Sequence, residues 1–213
     1  MSPHQPRPPD ERTARTLGHY ADNAAAFWEG TRDHDVTQNY AALLEAIDRP
    51  APLRLLDFGC GPGRDLVALG ALGHQVTGLD GSAEFVTMAR SRFAGTVLHQ
   101  NFLELDLAQA RYDGVFANAS LFHVPGAELP RVLGQLLYSL VPGGVLFSSN
   151  PRSFDRDHEG FKGERYGTYL TRESWLERIC AAGFAVERHF LRPTGKPASE
   201  QPWLAVVARR PSE

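Results

Sequence analysis

The sequence predicts an α/β fold, an open and mostly parallel sheet with helices on both faces. Three stretches predict it. Leu53, Leu55, Leu56 and Phe58 form a short apolar run suited to a buried parallel strand, and it passes directly into the turn Gly59-Cys60-Gly61-Pro62-Gly63 and a helical pattern from Arg64. His74 to Asp80 reads as a second strand, closed by an acid. Leu140 to Phe147, LVPGGVLF, turns a helical pattern back into a strand through Pro142-Gly143-Gly144.

Size and charge narrow the class of function. A chain of 213 residues holds one such domain with a full core, read here as 11–213 after a proline-rich tail, 1–10, that is expected to be disordered. The formal charge is −3 and the Lys and Arg are scattered, which leaves no electrostatic footprint for nucleic acid. No apolar run is long enough for a membrane span, and MSPHQPRPPDER lacks the apolar core of a signal peptide, so a cytoplasmic protein is expected. Cys60 and Cys180 are read as reduced thiols. The dispersed histidines contain no H-x-x-x-H and the chain no C-x-x-C, so no metal site is expected.

Taken in order, Glu11 to Trp28, with Leu17, Tyr20, Ala24 and Phe27, fits an amphipathic helix outside the sheet. The polar cluster Thr31 to Asn39 follows, before a helix to about Asp48. Asp35 and Gln38 have capping-box spacing, and the surplus polarity of Asp33-His34-Asp35 and Gln38-Asn39 suggests an entrance that faces a substrate. Gly59, Gly61 and Gly63 then sit at a helix N-terminus, where amides point outward and no Cβ blocks a ligand. That describes a nucleotide-type cradle or a structural tight turn. Asp80 falls about twenty residues beyond the glycines, where the ribose of an adenosine would lie. Its carboxylate suits both ribose hydroxyls, the alternative being an N-cap for the helix from Ser82.

A helix to Phe93, a strand at Thr96 to His99 and a strand at Tyr112 to Ala119 follow. The last of these puts Asn118 to His123 at the carboxyl edge of the sheet, where open α/β sheets bind ligands. His123 reads either as a general base or, more readily, as a packing and hydrogen-bonding residue at a helix start. Beyond the helix Glu128 to Leu140 and the strand to Asn150, Pro151 to Leu170 is charged, glycine-rich and aperiodic, and 151–170 is read as a lid or acceptor-binding loop. A helix at Thr171 to Ala182 and strands at Phe184 to Leu191 and Trp203 to Ala208 complete the chain. Arg192 to Pro202 is expected to join those strands as a hairpin whose tip faces the site.

The pattern D-x-G-x-G-x-G at Asp57 to Gly63 resembles motif I of the class I S-adenosylmethionine-dependent methyltransferases, and its third glycine comes one residue early for a dinucleotide turn. LVPGGVLF is similar to the turn and fifth strand of the same enzymes. The resemblance implies a Rossmann-like sheet of seven strands and S-adenosylmethionine as cofactor, leaving as S-adenosylhomocysteine. As cofactor-binding residues it implies Asp57, Gly59, Gly61, Gly63 and Arg64, with Asp80 and Gly81 at the ribose and Asn118 at the strand end. Asn101 and Phe102 would hold the adenine, although many members carry Asp where this chain has Asn101, and Tyr20 would close over the methionine end.

Segments outside those motifs go further. GTRDHDVTQN, DGVFANASLFHVP, PGGVLFSSNPR, GERYGTY and EQPWLAVV resemble the C-terminal methyltransferase domain of the ovothiol synthases, from about Tyr20 to Arg209. The histidine-rich, iron-binding sulfoxide synthase part of those enzymes is not in this sequence. The resemblance implies a 5-thiohistidine N-methyltransferase that forms ovothiol A by methylating the π-nitrogen of a small, histidine-derived acceptor. A pyridine-type nitrogen carries its own lone pair, so no general base is required and the site works by holding nucleophile, methyl and sulfur in line. Selectivity against the thiolate on the same ring would fall to Phe122 and Tyr166, with His123 beside them, and to hydrogen bonds from Asp35, Gln38 and Asn39. Arg152, Arg165 and Arg192 are the cations open to an acceptor carboxylate. A methyltransferase for another small amine, imidazole or thiol, a non-catalytic adenosylmethionine-binding subunit and a nicotinamide reductase are the other readings, and the glycine spacing counts against the last. The sequence sets no oligomeric state.

Overall fold

A computed structural model of the protein describes residues 10–212. The expected disordered tail therefore lies outside the described residues apart from Asp10, which caps the first helix by accepting a hydrogen bond from the Arg12 amide. The sheet is built from β1 (Arg54–Phe58), β2 (Gln75–Asp80), β3 (Val97–His99), β4 (Tyr112–Asn118), β5 (Leu140–Pro151), β8 (Ala185–Arg192) and β9 (Trp203–Arg209). Their order is β3-β2-β1-β4-β5-β9-β8, and only β9 runs antiparallel to its neighbours. The fold is the expected seven-stranded, mostly parallel α/β sheet.

Helices cover both faces because the central strands are apolar on both sides. Leu55 and Leu56, Val115 and Phe116, and Leu146 and Phe147 alternate between two separate cores. One face packs under α3 (Thr37–Leu44), α4 (Arg64–Ala71) and α5 (Ala83–Arg92), the other under α6 (Leu129–Ser139) and α7 (Arg172–Ala181). Strand order reverses between β1 and β4, so the crevice at their carboxyl ends lies between the loop after β1 and the residues after Asn118.

Several boundaries differ from expectation. The first helix is two, α1 (Glu11–Asp22) and α2 (Ala24–Thr31), broken at Asn23 with φ −116° and ψ 16°. The helix expected to reach Asp48 ends at Leu44. The segment 151–170 is no aperiodic loop. It contains an antiparallel hairpin of its own, β6 (His158–Lys162) with β7 (Arg165–Tyr169), turned at Gly163, whose φ is +64°. Its alternation escaped notice because the strands are short and stand outside the main sheet. The hairpin is seated on α1, where the Tyr166 amide donates to Thr16 Oγ1 at 2.9 Å and Arg15 pairs with Glu164.

Candidate active site

The glycine turn hangs from the end of β2, since the amides of Gly59 and Cys60 both donate to the Leu79 carbonyl. Gly59 has φ +82°, and a Cβ there would lie 2.4 Å from Ser120 Cβ. Gly61, at φ +53°, faces open space, where a Cβ would meet only the Phe27 ring at 3.8 Å. This is a backbone surface that a ligand can approach. Gly63 serves a different end. It starts α4 at φ +98°, and a Cβ would fall 3.1 Å from Ala89 Cα, so it permits close packing of α4 on α5 and does not line the cleft. Asp57 is also removed from the cofactor set, being 1 % exposed behind the turn and outside the cleft. Burial raises its pKa and the nearby Asp65 carboxylate pushes in the same direction.

Asp80 unites the two readings of its sequence position. Its Oδ2 accepts from the Gly61 amide at 2.9 Å and its Oδ1 from the Ser82 amide at 2.8 Å, so it braces the glycine turn and the start of α5 together. It also lines the cleft. A carboxylate has about four acceptor directions, so two remain for ligand hydroxyls. Burial raises its pKa, opposed by the amides of Ser82, Gly61 and Gly81.

The cleft has a volume of about 650 Å³, within the range of small-molecule and cofactor sites. Asn101, Phe102 and the Gly81 backbone line one end. Phe102 is stacked on Phe58 with centroids 4.2 Å apart, and Asn101 Oδ1 accepts from the Leu103 amide, which leaves its NH2 group for a ligand. Tyr20, Phe27 and Phe85 form an aromatic cover at centroid distances of 5.0 to 5.4 Å. Ser120 and Ser149 hold buried hydroxyls without a protein partner on the cleft wall. These features fit an adenosine-bearing cofactor, with polar atoms waiting along an otherwise apolar slot.

A polar network runs along one wall of the cleft, which Arg64, Asp65 and Asn118 line, and continues behind it to Tyr40 and Asn39. Arg64 donates to both oxygens of Asp65 at 2.7 and 3.0 Å and to the Thr31 carbonyl at 3.0 Å, so it ties the end of α2 to the glycine turn. Tyr40 donates to Asp65 at 2.5 Å. Asn118 Oδ1 accepts from Asn39 Nδ2 at 3.1 Å and Asn118 Nδ2 donates toward Asp65 at 3.5 Å. Asn39 is thus fully buried behind the cleft and is no part of an entrance. Asp35 does line the mouth, but its carboxylate accepts from the amide and hydroxyl of Thr37, and the capping box with Gln38 is not formed. Gln38 stands outside the cleft with its side-chain amide against the Arg192 guanidinium, which can only donate and so takes the amide oxygen as its partner.

His123 is fully engaged. Nδ1 lies 2.7 Å from the Tyr166 carbonyl, which can only accept, so Nδ1 carries the proton and Nε2 accepts from the Tyr20 hydroxyl at 2.8 Å. Burial brings its pKa down to about 4, and the imidazole is neutral. Folding therefore opposes protonation, and the stability that this neutral form contributes is complete above pH 6.5 and lost as the pH falls through 4. Between those values the wild type should lose about 3 kcal/mol relative to His123→Gln in urea unfolding. Equal acid sensitivity of the two proteins would mean that His123 is not held neutral.

Phe122 lines the cleft as expected. Tyr166 does not, since the register of β7 turns it under α1, where its hydroxyl accepts from Arg12 and its ring lies 5.1 Å from that guanidinium. Arg152 is likewise turned away, donating to the carbonyls of Gln201 and Ala198 and stacking on Phe154. Arg165 and Arg192 face the cleft. The β8-β9 hairpin does meet the site at its loop end, through Arg192, Pro193 and Trp203, while 194–202 at the outer part of the loop do not line it. Asp65, Phe27 and Ser149 were missed. Ser149 was within reach of the rule that strand ends bind ligands, and Asp65 stood next to Arg64. No group of three His, Cys, Asp or Glu able to hold a metal occurs among the described residues, and no described helix is long and apolar enough to cross a membrane.

Residues 55–144 match the family model described as a methyltransferase domain. The matched stretch, from β1 into β5, is similar to a methyltransferase domain. The fold of the chain is that of the class I, S-adenosylmethionine-dependent enzymes. The chain is 33 % identical over 152 residues to trans-aconitate 2-methyltransferase of Acidovorax sp. (strain JS42), covering 68 % of this chain and 55 % of that one. It is 38 % identical over 112 residues to the enzyme of the same name from Rhodopseudomonas palustris (strain BisA53), covering 49 % and 41 %. The chain thus spans about half the length of these curated relatives. Among solved structures, the chain superposes with a TM-score of 0.79 on the 1,6-didemethyltoxoflavin-N1-methyltransferase of Burkholderia thailandensis, crystallised with 1,6-didemethyltoxoflavin and S-adenosylhomocysteine. That likeness covers 99 % of this chain and 93 % of the other at 23 % identity, and it bears on the fold alone.

Proposed function

We propose that this domain uses S-adenosylmethionine to methylate a small acceptor, and that the acceptor is 5-thiohistidine, methylated on its π-nitrogen to give ovothiol A. The observation that carries the reading is the state of His123, a neutral imidazole inside the cleft with both nitrogens engaged by Tyr166 and Tyr20. It has no free position from which to take a proton. A site of this kind suits a nucleophile that already carries a lone pair, such as a pyridine-type nitrogen.

The cofactor would lie along Gly61, Asp80 and the Asn101-Phe102 end, and when bound it supplies an electrophilic methyl on a sulfonium. The domain's own residues then orient and exclude water, with Tyr20 and Phe27 closing the slot and Phe122 forming a wall. At the mouth, the Arg192 guanidinium and the Asp35 carboxylate feel each other's charge and complement the two ends of an amino-acid zwitterion. The length of the ovothiol-synthase resemblance, including segments that touch no cofactor, supports the same acceptor.

A second reading has its own support. Two guanidiniums, Arg165 and Arg192, face one cleft, and the relatives named trans-aconitate methyltransferases suggest a small polycarboxylate, whose oxygen also needs no base. Mass spectrometry of the protein with S-adenosylmethionine and, in parallel, reduced 5-thiohistidine, histidine and trans-aconitate separates the two. A single methyl gained on the ring nitrogen of 5-thiohistidine alone is the expected result. A methyl ester of trans-aconitate with thiohistidine untouched would overturn it.

A further inference from the structure

Arg165 is the least satisfied cation in the cleft. It is half-buried, faces the same space as Tyr20, Asp80 and His123, and forms no ion pair among the described residues. Arg64, Arg54 and Arg12 each have a carboxylate, and the acid next in sequence, Glu164, is taken by Arg15. Arg192 at least has the Gln38 carbonyl oxygen and the charge of Asp35. A guanidinium withdrawn from water without a counter-ion is costly unless a ligand supplies one.

Its position is nonetheless tightly fixed. Arg165 opens β7 opposite Lys162, and the next residue is pinned on both sides, its amide donating to Thr16 Oγ1 and its carbonyl accepting from His123 Nδ1. The proton count along this chain of groups has one solution. The Tyr166 carbonyl forces the proton onto Nδ1, Nε2 must then accept, and the Tyr20 hydroxyl must donate to it. Tyr20 is left with lone pairs only. Burial raises the phenol pKa, and the positive charge of Arg165, which lines the same cleft, pulls the other way. With only lone pairs to offer, the Tyr20 oxygen can accept from the guanidinium that shares its cleft.

We propose that Arg165 anchors a ligand carboxylate, and that His123 and Tyr20 are positioning residues that hold its guanidinium in the receiving orientation. Two ligands bring that chemistry, the amino-acid end of the cofactor and the acceptor. The inference rests on the cofactor reading given above.

The test uses the whole chain and two probes, S-adenosylhomocysteine and 5′-methylthioadenosine, which keeps the adenosine and thioether but lacks the amino-acid end. If the carboxylate belongs to the cofactor, Arg165→Gln weakens S-adenosylhomocysteine by about tenfold or more in calorimetry and leaves methylthioadenosine unchanged. If it belongs to the acceptor, both nucleoside affinities hold and the KM for 5-thiohistidine or trans-aconitate rises by about tenfold at constant kcat. Equal weakening of both probes, or no change in any of these constants, overturns the anchor.

For the positioning residues, Tyr20→Phe should weaken the same ligand about threefold in the wild type and have no effect in the Arg165→Gln background. His123→Gln, which can donate to the Tyr166 carbonyl and accept from Tyr20, should restore what His123→Leu loses. If His123→Leu does not fold, the Tyr20 cycle decides, and an equal loss with and without Arg165 overturns the positioning role. A wild type that binds neither probe would instead remove the cofactor reading itself.

Discussion

Asp80→Ala is expected to weaken S-adenosylhomocysteine by about a hundredfold or more, the loss of two hydrogen bonds from hydroxyls to an ionised acceptor. The carboxylate is 8 % exposed and on the cleft wall, yet it already accepts from the amides of Gly61 and Ser82. The same variant should therefore lose about 1–3 kcal/mol of stability as those two amides are left without a partner. Asp80→Asn separates the contributions. It keeps one acceptor oxygen, so it should hold more of the stability and still bind poorly, because an amide accepts on one side only. Calorimetry and thermal unfolding on the three proteins check this. A folded Asp80→Ala with unchanged affinity would take Asp80 out of the ligand's reach.

Gly59→Ala should fail at the other end, in folding. At φ +82° any side chain costs about 1–2 kcal/mol of backbone strain, and a Cβ placed 2.4 Å from Ser120 Cβ adds about 1–3 kcal/mol of overpacking. Neither atom can rotate away, since both are fixed by their own backbones. The sum is a large share of the stability of an ordinary domain. Ser120→Gly in the Gly59→Ala background removes the collision and not the strain, so urea unfolding should recover only the overpacking part. Full recovery, or none, would show that the clash and the strain were wrongly divided. Gly61→Ala makes the useful contrast, because at φ +53° it carries the strain without the collision, its Cβ meeting nothing closer than Phe27, and it should lose less stability than Gly59→Ala while also weakening the ligand.

The contrast between these glycines explains what the sequence could convey. A turn that demands positive φ and a close approach leaves a mark at fixed spacing, and so the cradle, Asp80 and the sheet were legible from residues alone. What the same motif does at each position was not. Gly63 and Asp57 match the pattern as well as Gly61, yet one lets two helices pack closely and the other is buried behind the loop. The residues expected to meet the acceptor were least legible. In β7 the neighbours Arg165 and Tyr166 point opposite ways, so a register of one residue decides which of them meets a ligand. That register depends on a hairpin whose strands were too short to declare themselves. Asn39 and Arg152 failed for a related reason. Both found partners distant in sequence, Asn118 and the carbonyls of Ala198 and Gln201.

The β6-β7 ladder closes on itself and shares no strand pairing with the seven-stranded sheet. Insertions, deletions and side-chain exchanges can accumulate there without shifting the register that presents Gly61 and Asp80. On the proposed reading, a hairpin that meets the acceptor could diverge in this way while the turn that would hold the cofactor is kept. If Arg165 takes the acceptor's carboxylate, recombining this hairpin between related chains alters acceptor choice more directly than substitution in the central strands.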